Sequence, residues 1–473
     1  MRAKIGRLFL TTVTAAGLTG SGLVGSAPAR PAAAQEMSAA ELAELRHGVP
    51  NGAWRSTYAA PTHAPTLIRG ATLMTAAGEE YAGSILFEDG VIVQIGRDVE
   101  APPDAVILDG AGRFVTPGLI DSHSHLGVSA TPEVPTSFDN NETGMTTPGV
   151  WIEHSIWPQG PGFVRVLAGG TTTLQLLPGS GDLIEGRGVT VKPVPARTPQ
   201  EMLFPDAPRT VKLACGENPK RGNEFPTTKM GNVFGYRQAF IAGEKYRREW
   251  DAWLADPRGD SPDRDLDLET LAEVLRGNIL VQWHCYTADE MATNLQVARE
   301  FGFHVRSFHH AVEAYKIRDL LAESGTSASM WSENWGFKME ALDGISENVA
   351  LVSAAGARAI VHSDDDMRAQ YMNHEAAKSM WAGRRRGMEI SRDEALRWVT
   401  ANPAWALGID DRVGTLEVGK NADIVLWSGD PFSVYSVPDQ VWIDGALRWD
   451  REDPDYQRVS DFELGLVRKG GDR

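Results

Sequence analysis

Four short stretches of this chain each carry a potential metal ligand where a β-strand is expected to end: Asp121-Ser-His123-Ser-His125, then His284, then His310, then His362-Ser-Asp364. His123 and His125 are two residues apart. Side chains alternate faces along a strand, so both imidazoles project to one side and can chelate a single ion. Two more histidines and an aspartate arriving from later strand ends complete a nitrogen and oxygen donor set that suits zinc or a similar divalent cation. His362 lies two residues from Asp364 and can share its face, which makes it a candidate for orienting the site rather than binding the ion. His309, adjacent to His310, is expected to face the other way.

The elements that must position these groups follow from patterning. Short alternating runs at 66–69, 84–88, 91–95 and 106–108, split by turn residues, predict a small β-sheet. The same texture returns at 414–416, 423–426, 441–443 and 446–449, so both ends of the chain are expected to build one lobe. Between them a repeated strand, loop and helix pattern predicts a mainly parallel sheet or a closed barrel. Thr287 and Glu290 form a capping box opening a helix that Gly302 stops, and Ser391 with Glu394 opens another that stops before Pro403. On this reading His284 ends a strand over 279–283 just before its helix. His310 follows a strand over 304–308 and Asp364 one over 359–361, all on the face where such barrels do chemistry. Residues 127–168, rich in Pro, Gly, Thr and Asn and holding Trp151 and Trp157, are too long for an ordinary connection; they read either as a lid or specificity loop or as a surface insertion without function.

With 473 residues the chain can bury a large core without a disulfide framework. Its two cysteines, Cys215 and Cys285, sit beside apolar strand residues and read as small buried hydrophobes. The net charge of −17 repels nucleic acid and anionic lipid. Arg2, Lys4 and Arg7 precede an apolar run over 8–24 and the small residues Ala32-Ala33-Ala34, the order of a secretory signal peptide cut between Ala29 and Ala34. The alternative, an uncleaved anchor, makes a weak span because the run is interrupted by glycines and threonines. The mature protein is thus expected to be secreted or periplasmic, without a stable membrane span.

The segment Pro117-Gly-Leu-Ile-Asp-Ser-His-Ser-His125 resembles the first-strand signature of the amidohydrolase superfamily, and residues 413–426 resemble its C-terminal signature. Gly216-Glu-Asn-Pro-Lys220 is similar to a segment of the secreted imidazolonepropionase-like metal-dependent hydrolases. The resemblance covers roughly 66–449. It implies an α/β fold, a (β/α)8 TIM-type barrel with a small composite β-sandwich built from both chain ends. The domain plan becomes signal peptide 1–34, arm 35–63, first sandwich part 64–116, barrel 117–410, second sandwich part 411–452 and tail 453–473.

Carried over residue by residue, the resemblance makes His123 and His125 ligands from the first strand, His284 and His310 ligands from the fifth and sixth, and Asp364 the carboxylate of the eighth, around one or two divalent ions. Lys212 stands in the fourth strand where two-metal relatives have a carboxylated lysine. A buried, unpaired ammonium is costly, and carboxylation would turn it into an anion between cations. Glu217 is the competing fourth-strand ligand, which would leave Lys212 to form an ion pair or bind substrate.

Such a site lowers the pKa of a bound water from about 15.7 to about 7. Asp364 would take the water's proton and return it to a leaving nitrogen. The expectation is hydrolysis of C–N bonds in small molecules: N-acyl amino acids, dipeptides or cyclic amides. Asn218, Lys220 and Arg221, just past the fourth strand, are either a binding site for a substrate carboxylate or a solvated loop. A deaminase, lactonase or phosphoester hydrolase would use the same site. A non-catalytic binding protein is the reading from another class, and self-association is left open.

Overall fold

The computed structural model describes residues 55–457 except 79, 130–138, 143 and 335. The expected leader, most of the arm, part of the 127–168 segment and most of the tail lie outside the described residues.

Strands β1 (Thr66–Leu73), β2 (Tyr81–Glu88), β3 (Val91–Gly96), β4 (Val106–Asp109) and β5 (Phe114–Pro117) come first. Eight further strands follow in the middle of the chain: β6 (Leu119–Ser124), β7 (Thr171–Leu176), β8 (Ile184–Val191), β9 (Arg209–Ala214), β10 (Ile279–His284), β11 (Val305–His309), β12 (Ser327–Met330) and β13 (Ala359–Val361). The last three are β14 (Ile424–Trp427), β15 (Pro438–Ile443) and β16 (Ala446–Asp450). The two ends of the chain meet in one sheet of order β16-β15-β14-β5-β1-β2-β3, with β4 beside β1. Its buried face is apolar, with Ile68, Phe87, Val115, Leu426 and Trp442 among its members. The expected strand at 414–416 is absent, and Leu416 instead gives its N–H to the Thr75 carbonyl at 2.9 Å.

The middle strands pair in chain order from β6 to β13, forming a nearly closed barrel. Register sorts their side chains into two sets. Trp283 pairs with Leu213 and Phe308 along the sheet, and its indole packs 4.9 Å from the Tyr236 ring on the helix Lys229–Ala255, so this set faces the surrounding helices. The alternate set, Lys212, Gln282 and Ser307 in one layer, faces the barrel interior. A side chain as large and buried as Trp283 costs about 3–5 kcal/mol on truncation, and anchors the frame that aims His284.

One expectation changes here. The barrel is not wholly parallel, because β8 runs antiparallel to both β7 and β9. Only residues 177–183 separate β7 from β8, too few for the crossover helix that a parallel pair needs, so the chain turns back as a hairpin. The helix opened by Ser391 stops before Pro403, at Arg397, as expected, and a second helix, Ala401–Leu407, contains Pro403 in its first turn. Proline is tolerated there because those N–H groups have no partner within the helix. Among the described residues no helix is long and apolar enough to cross a membrane.

Candidate metal centre

His123 and His125 leave β6 on one face, as their spacing requires, and meet Asp364 at the barrel mouth. Oδ1 of Asp364 lies 3.5 Å from His123 Nε2 and 3.3 Å from His125 Nε2, while Oδ2 lies 3.7 Å from His310 Nδ1. The donor atoms of His123, His125 and Asp364 all fall within 4.8 Å of one another. His284 and His310 stand beside them with ring centroids 4.7 Å apart, and the His123 and His310 rings are 4.4 Å apart.

Two backbone turns deliver these groups. His310 has φ 57° and Asp364 φ 50°, both in the left-handed region. Non-glycine residues rarely adopt it, at a cost of roughly 1–2 kcal/mol each. The turn at His310 aims its ring at Asp364, while His309, the last residue of β11 and paired in register with His284, also points into the barrel. The expectation that His309 faces away is therefore corrected: it is fully buried inside the barrel with Nδ1 2.9 Å from His123 Nδ1. Strand alternation ends where the strand ends, so it could not sort the pair.

The electrostatics favour neutral ligands. Burial holds His123, His284 and His310 well below the usual histidine range and pushes His362 down to about 4. His125 Nδ1 is 2.8 Å from the Leu177 carbonyl and His284 Nδ1 is 2.9 Å from Ser180 Oγ, leaving both Nε2 atoms toward the centre. His284 Nε2 and His310 Nδ1 are buried with no hydrogen-bond partner among the described residues. Buried polar atoms are almost always paired. Orphaned imidazole nitrogens around a carboxylate are the donor chemistry that a divalent cation satisfies, so the residues present fit such an ion.

Lys212 is fully buried, its Nζ 3.5 Å from His123 Nε2, 3.1 Å from the Pro178 carbonyl and 3.2 Å from that of Gly179. Burial pulls its ammonium down to about 8, against the attraction of Glu185 and Asp364. Glu217, the competing candidate, is 42% exposed, pairs with Lys338 at 3.2 Å and is not in the group around Asp364. The chain turns out of β9 at Gly216, φ 79°, with the Glu340 carboxylate where a Cβ would stand, and this carries Glu217 out of the strand.

The other candidates separate. Asn218 accepts from Lys338 Nζ at 2.6 Å, Lys220 is half-buried with its N–H on the Glu217 carbonyl at 3.1 Å, and Arg221 is held by the Gly144 carbonyl at 2.6 Å and by Asp182. The Arg221 guanidinium thus bonds within the protein through Nη2. His362 is buried beside His310 and accepts the His310 N–H at 3.3 Å through Nε2. Within the 127–168 segment, Thr147 gives its N–H to the Ile184 carbonyl and Val150 accepts the Arg187 N–H at its carbonyl, both along β8. Trp151 lies under Arg187 at 4.5 Å.

The sequence reading missed several neighbours. Trp331 stacks 4.6 Å from His310, Tyr286 lies 4.7 Å from His284, and Lys338 sits 4.1 Å over the Tyr286 ring. Gln282 could have been found, since it shares a strand face with His284 two residues on. The cysteines read as separate hydrophobes form a disulfide joining the ends of β9 and β10, directly after His284.

An amidohydrolase family profile matches residues 297–448. A solved amidohydrolase from Thermotoga maritima is 32% identical and superposes with a TM-score of 0.76, covering 82% of this chain and 100% of that one. Amidohydrolase tasK of Hapsidospora irregularis is 33% identical over 431 residues, 82% of this chain but 43% of that protein, so this chain spans less than half its length. An imidazolonepropionase of Mesorhizobium japonicum is 24% identical over 372 residues, 73% of this chain and 86% of that protein. With sequence, barrel and histidine cluster in agreement, the chain belongs to the amidohydrolase superfamily, in its imidazolonepropionase-like branch.

Proposed function

We propose that this chain is an exported, metal-dependent hydrolase of carbon–nitrogen bonds that cleaves amide or cyclic amide bonds in small molecules, with N-acyl amino acids, dipeptides or cyclic amides as substrates. The observation that carries the reading is the pair of buried nitrogens without a hydrogen-bond partner among the described residues, His284 Nε2 and His310 Nδ1, beside the His123, His125 and Asp364 group. His123, His125, His284, His310 and Asp364 would hold one or two divalent ions, with zinc suited to the donor set. A bound ion supplies Lewis acidity there, acidifying a water and polarising the scissile carbonyl.

Asp364, 24% exposed at the barrel mouth, is the group placed to move the proton. In the step proposed, water oxygen bonds to the carbonyl carbon and Asp364 accepts the water's proton. The C–N bond then breaks and Asp364 returns the proton to the nitrogen. His362 accepts through Nε2, so as a neutral ring it carries its proton on Nδ1, a buried donor without a partner among the described residues. It is available to a substrate oxygen.

Lys212 fits the bridging role if its amine is free to react. Held down to about 8, part of it is neutral near neutral pH. The amine nitrogen then bonds to carbon dioxide and releases a proton, leaving an anion beside His123. A panel of N-acyl amino acids, dipeptides, cyclic ureides and lactones, assayed with added zinc or manganese, tests the assignment. Turnover of the amide members with metal supports it, and turnover confined to lactones contradicts it.

Export is supported by the basic start, apolar run and small-residue site of the first 34 residues, and by the disulfide, a bond that persists in oxidising compartments. N-terminal sequencing of exported protein is expected to begin between 30 and 35. An intact Met1 on soluble cytoplasmic protein contradicts it.

A further inference from the structure

From His123, on the side away from Asp364, a continuous buried line runs through His309 and Gln282 to the helix Ala401–Leu407. His123 Nδ1 is 2.9 Å from His309 Nδ1, His309 Nε2 is 2.7 Å from Gln282 Oε1, and Gln282 Nε2 gives a hydrogen bond to the Ala406 carbonyl at 3.1 Å. All three side chains have no exposed surface.

The line has one consistent arrangement of protons. The Ala406 carbonyl can only accept, so Gln282 must present its NH2 group there and its oxygen to His309. An amide oxygen can only accept in turn, so His309 carries a proton on Nε2. A neutral imidazole with its one proton on Nε2 has a lone pair on Nδ1. His123 must then donate from Nδ1, and its own lone pair sits on Nε2, the atom 3.5 Å from Asp364. The reverse order would set the Gln282 oxygen against the Ala406 oxygen.

We infer that Gln282 and His309 are positioning residues that fix the tautomer of His123, holding its Nε2 lone pair toward the centre before any ion arrives. Without them His123 can carry its proton on Nε2, where it bonds Asp364 instead of a cation, and each binding event must first displace that proton. The inference rests on the reading of His123 as a metal ligand. Partners of this kind, hydrogen-bonded behind a ligand, typically change metal affinity about 10–100-fold.

The test uses full-length protein stripped of metal and labelled with 15N-histidine, with resonances assigned from single-histidine variants. Long-range nitrogen–proton correlations are expected to show His123 protonated on Nδ1 and His309 on Nε2. His309 protonated on Nδ1, or on both nitrogens, overturns the relay, and this measurement needs no variant in Gln282. In parallel, Gln282→Met is expected to bind zinc about 10–100-fold more weakly by chelator competition, with the melting temperature of the metal-free protein little changed. Gln282→Glu, whose carboxyl oxygen can still accept from His309, is expected to keep most of the affinity. Unchanged zinc affinity in a folded Gln282→Met also overturns the relay. The expected tautomers in a parent protein that binds no divalent ion would uphold the proton arrangement and overturn the metal reading of His123 instead.

Discussion

The carboxylate of Asp121 takes the backbone N–H of Ser363 at 3.1 Å through Oδ1 and the Ser363 hydroxyl through Oδ2, tying β6 to the chain just past β13. The same Oδ1 accepts the His123 N–H at 3.2 Å, and the Asp364 N–H reaches the His123 carbonyl at 3.1 Å. These bonds close the seam between first and last barrel strands at the point where His123 and Asp364 must meet.

Asp121→Ala leaves two buried N–H groups without an acceptor, at about 1–3 kcal/mol each. Thermal denaturation is expected at lower temperature, and metal titration to show weaker binding because the seam no longer sets His123 against Asp364. Ser363→Ala keeps the backbone bond and should lose less. A larger loss in Ser363→Ala than in Asp121→Ala would contradict this order.

Asp364→Asn keeps size and one oxygen but cannot act as a base near neutral pH. Turnover should fall about 10²-fold or more, while most metal stays with the four histidines. Near-normal turnover with metal bound would remove Asp364 from proton transfer and turn attention to His362.

If Lys212 is carboxylated and bridging, Lys212→Ala should lose about one ion per chain, and acetate should restore part of the activity by filling the vacated space. Elemental analysis checks the first and rates with added acetate the second. Unchanged metal content would confine Lys212 to its bonds with the Pro178 and Gly179 carbonyls.

The Cys215–Cys285 bond closes a 70-residue separation beside His284. Cys215→Ser with Cys285→Ser should destabilise the protein by about 2–4 kcal/mol. Denaturation of the double variant, and free-thiol titration of the parent before and after reduction, measure this. Two free thiols in the unreduced parent would contradict the bond.

The sequence disclosed the chelate most directly, since a two-residue spacing on a strand fixes the relative direction of His123 and His125 without reference to anything else. Strand ends were legible for His284 because an apolar run and a helix cap bracket it. His309 and His310 were not separable, because the chain leaves β11 between them and the left-handed turn at His310 follows no local rule. Lys212 against Glu217 depended on where β9 stops, which Gly216 decides through its packing on Glu340. The antiparallel β8 depends on how the chain turns over residues 177–183, which periodicity does not report, and the disulfide pairs cysteines 70 residues apart, which a cysteine count does not report.

Anomalous scattering at the zinc edge from crystals of zinc-loaded protein, with elemental analysis of the same sample, tests the central claim most directly. The account expects a peak among His123 Nε2, His125 Nε2 and Asp364, with His284 and His310 around the same or a second peak, and loss of both peaks and amide hydrolysis after chelation. Absence of a peak at the barrel mouth, in protein that hydrolyses the amide substrates at full rate after chelation, would contradict it.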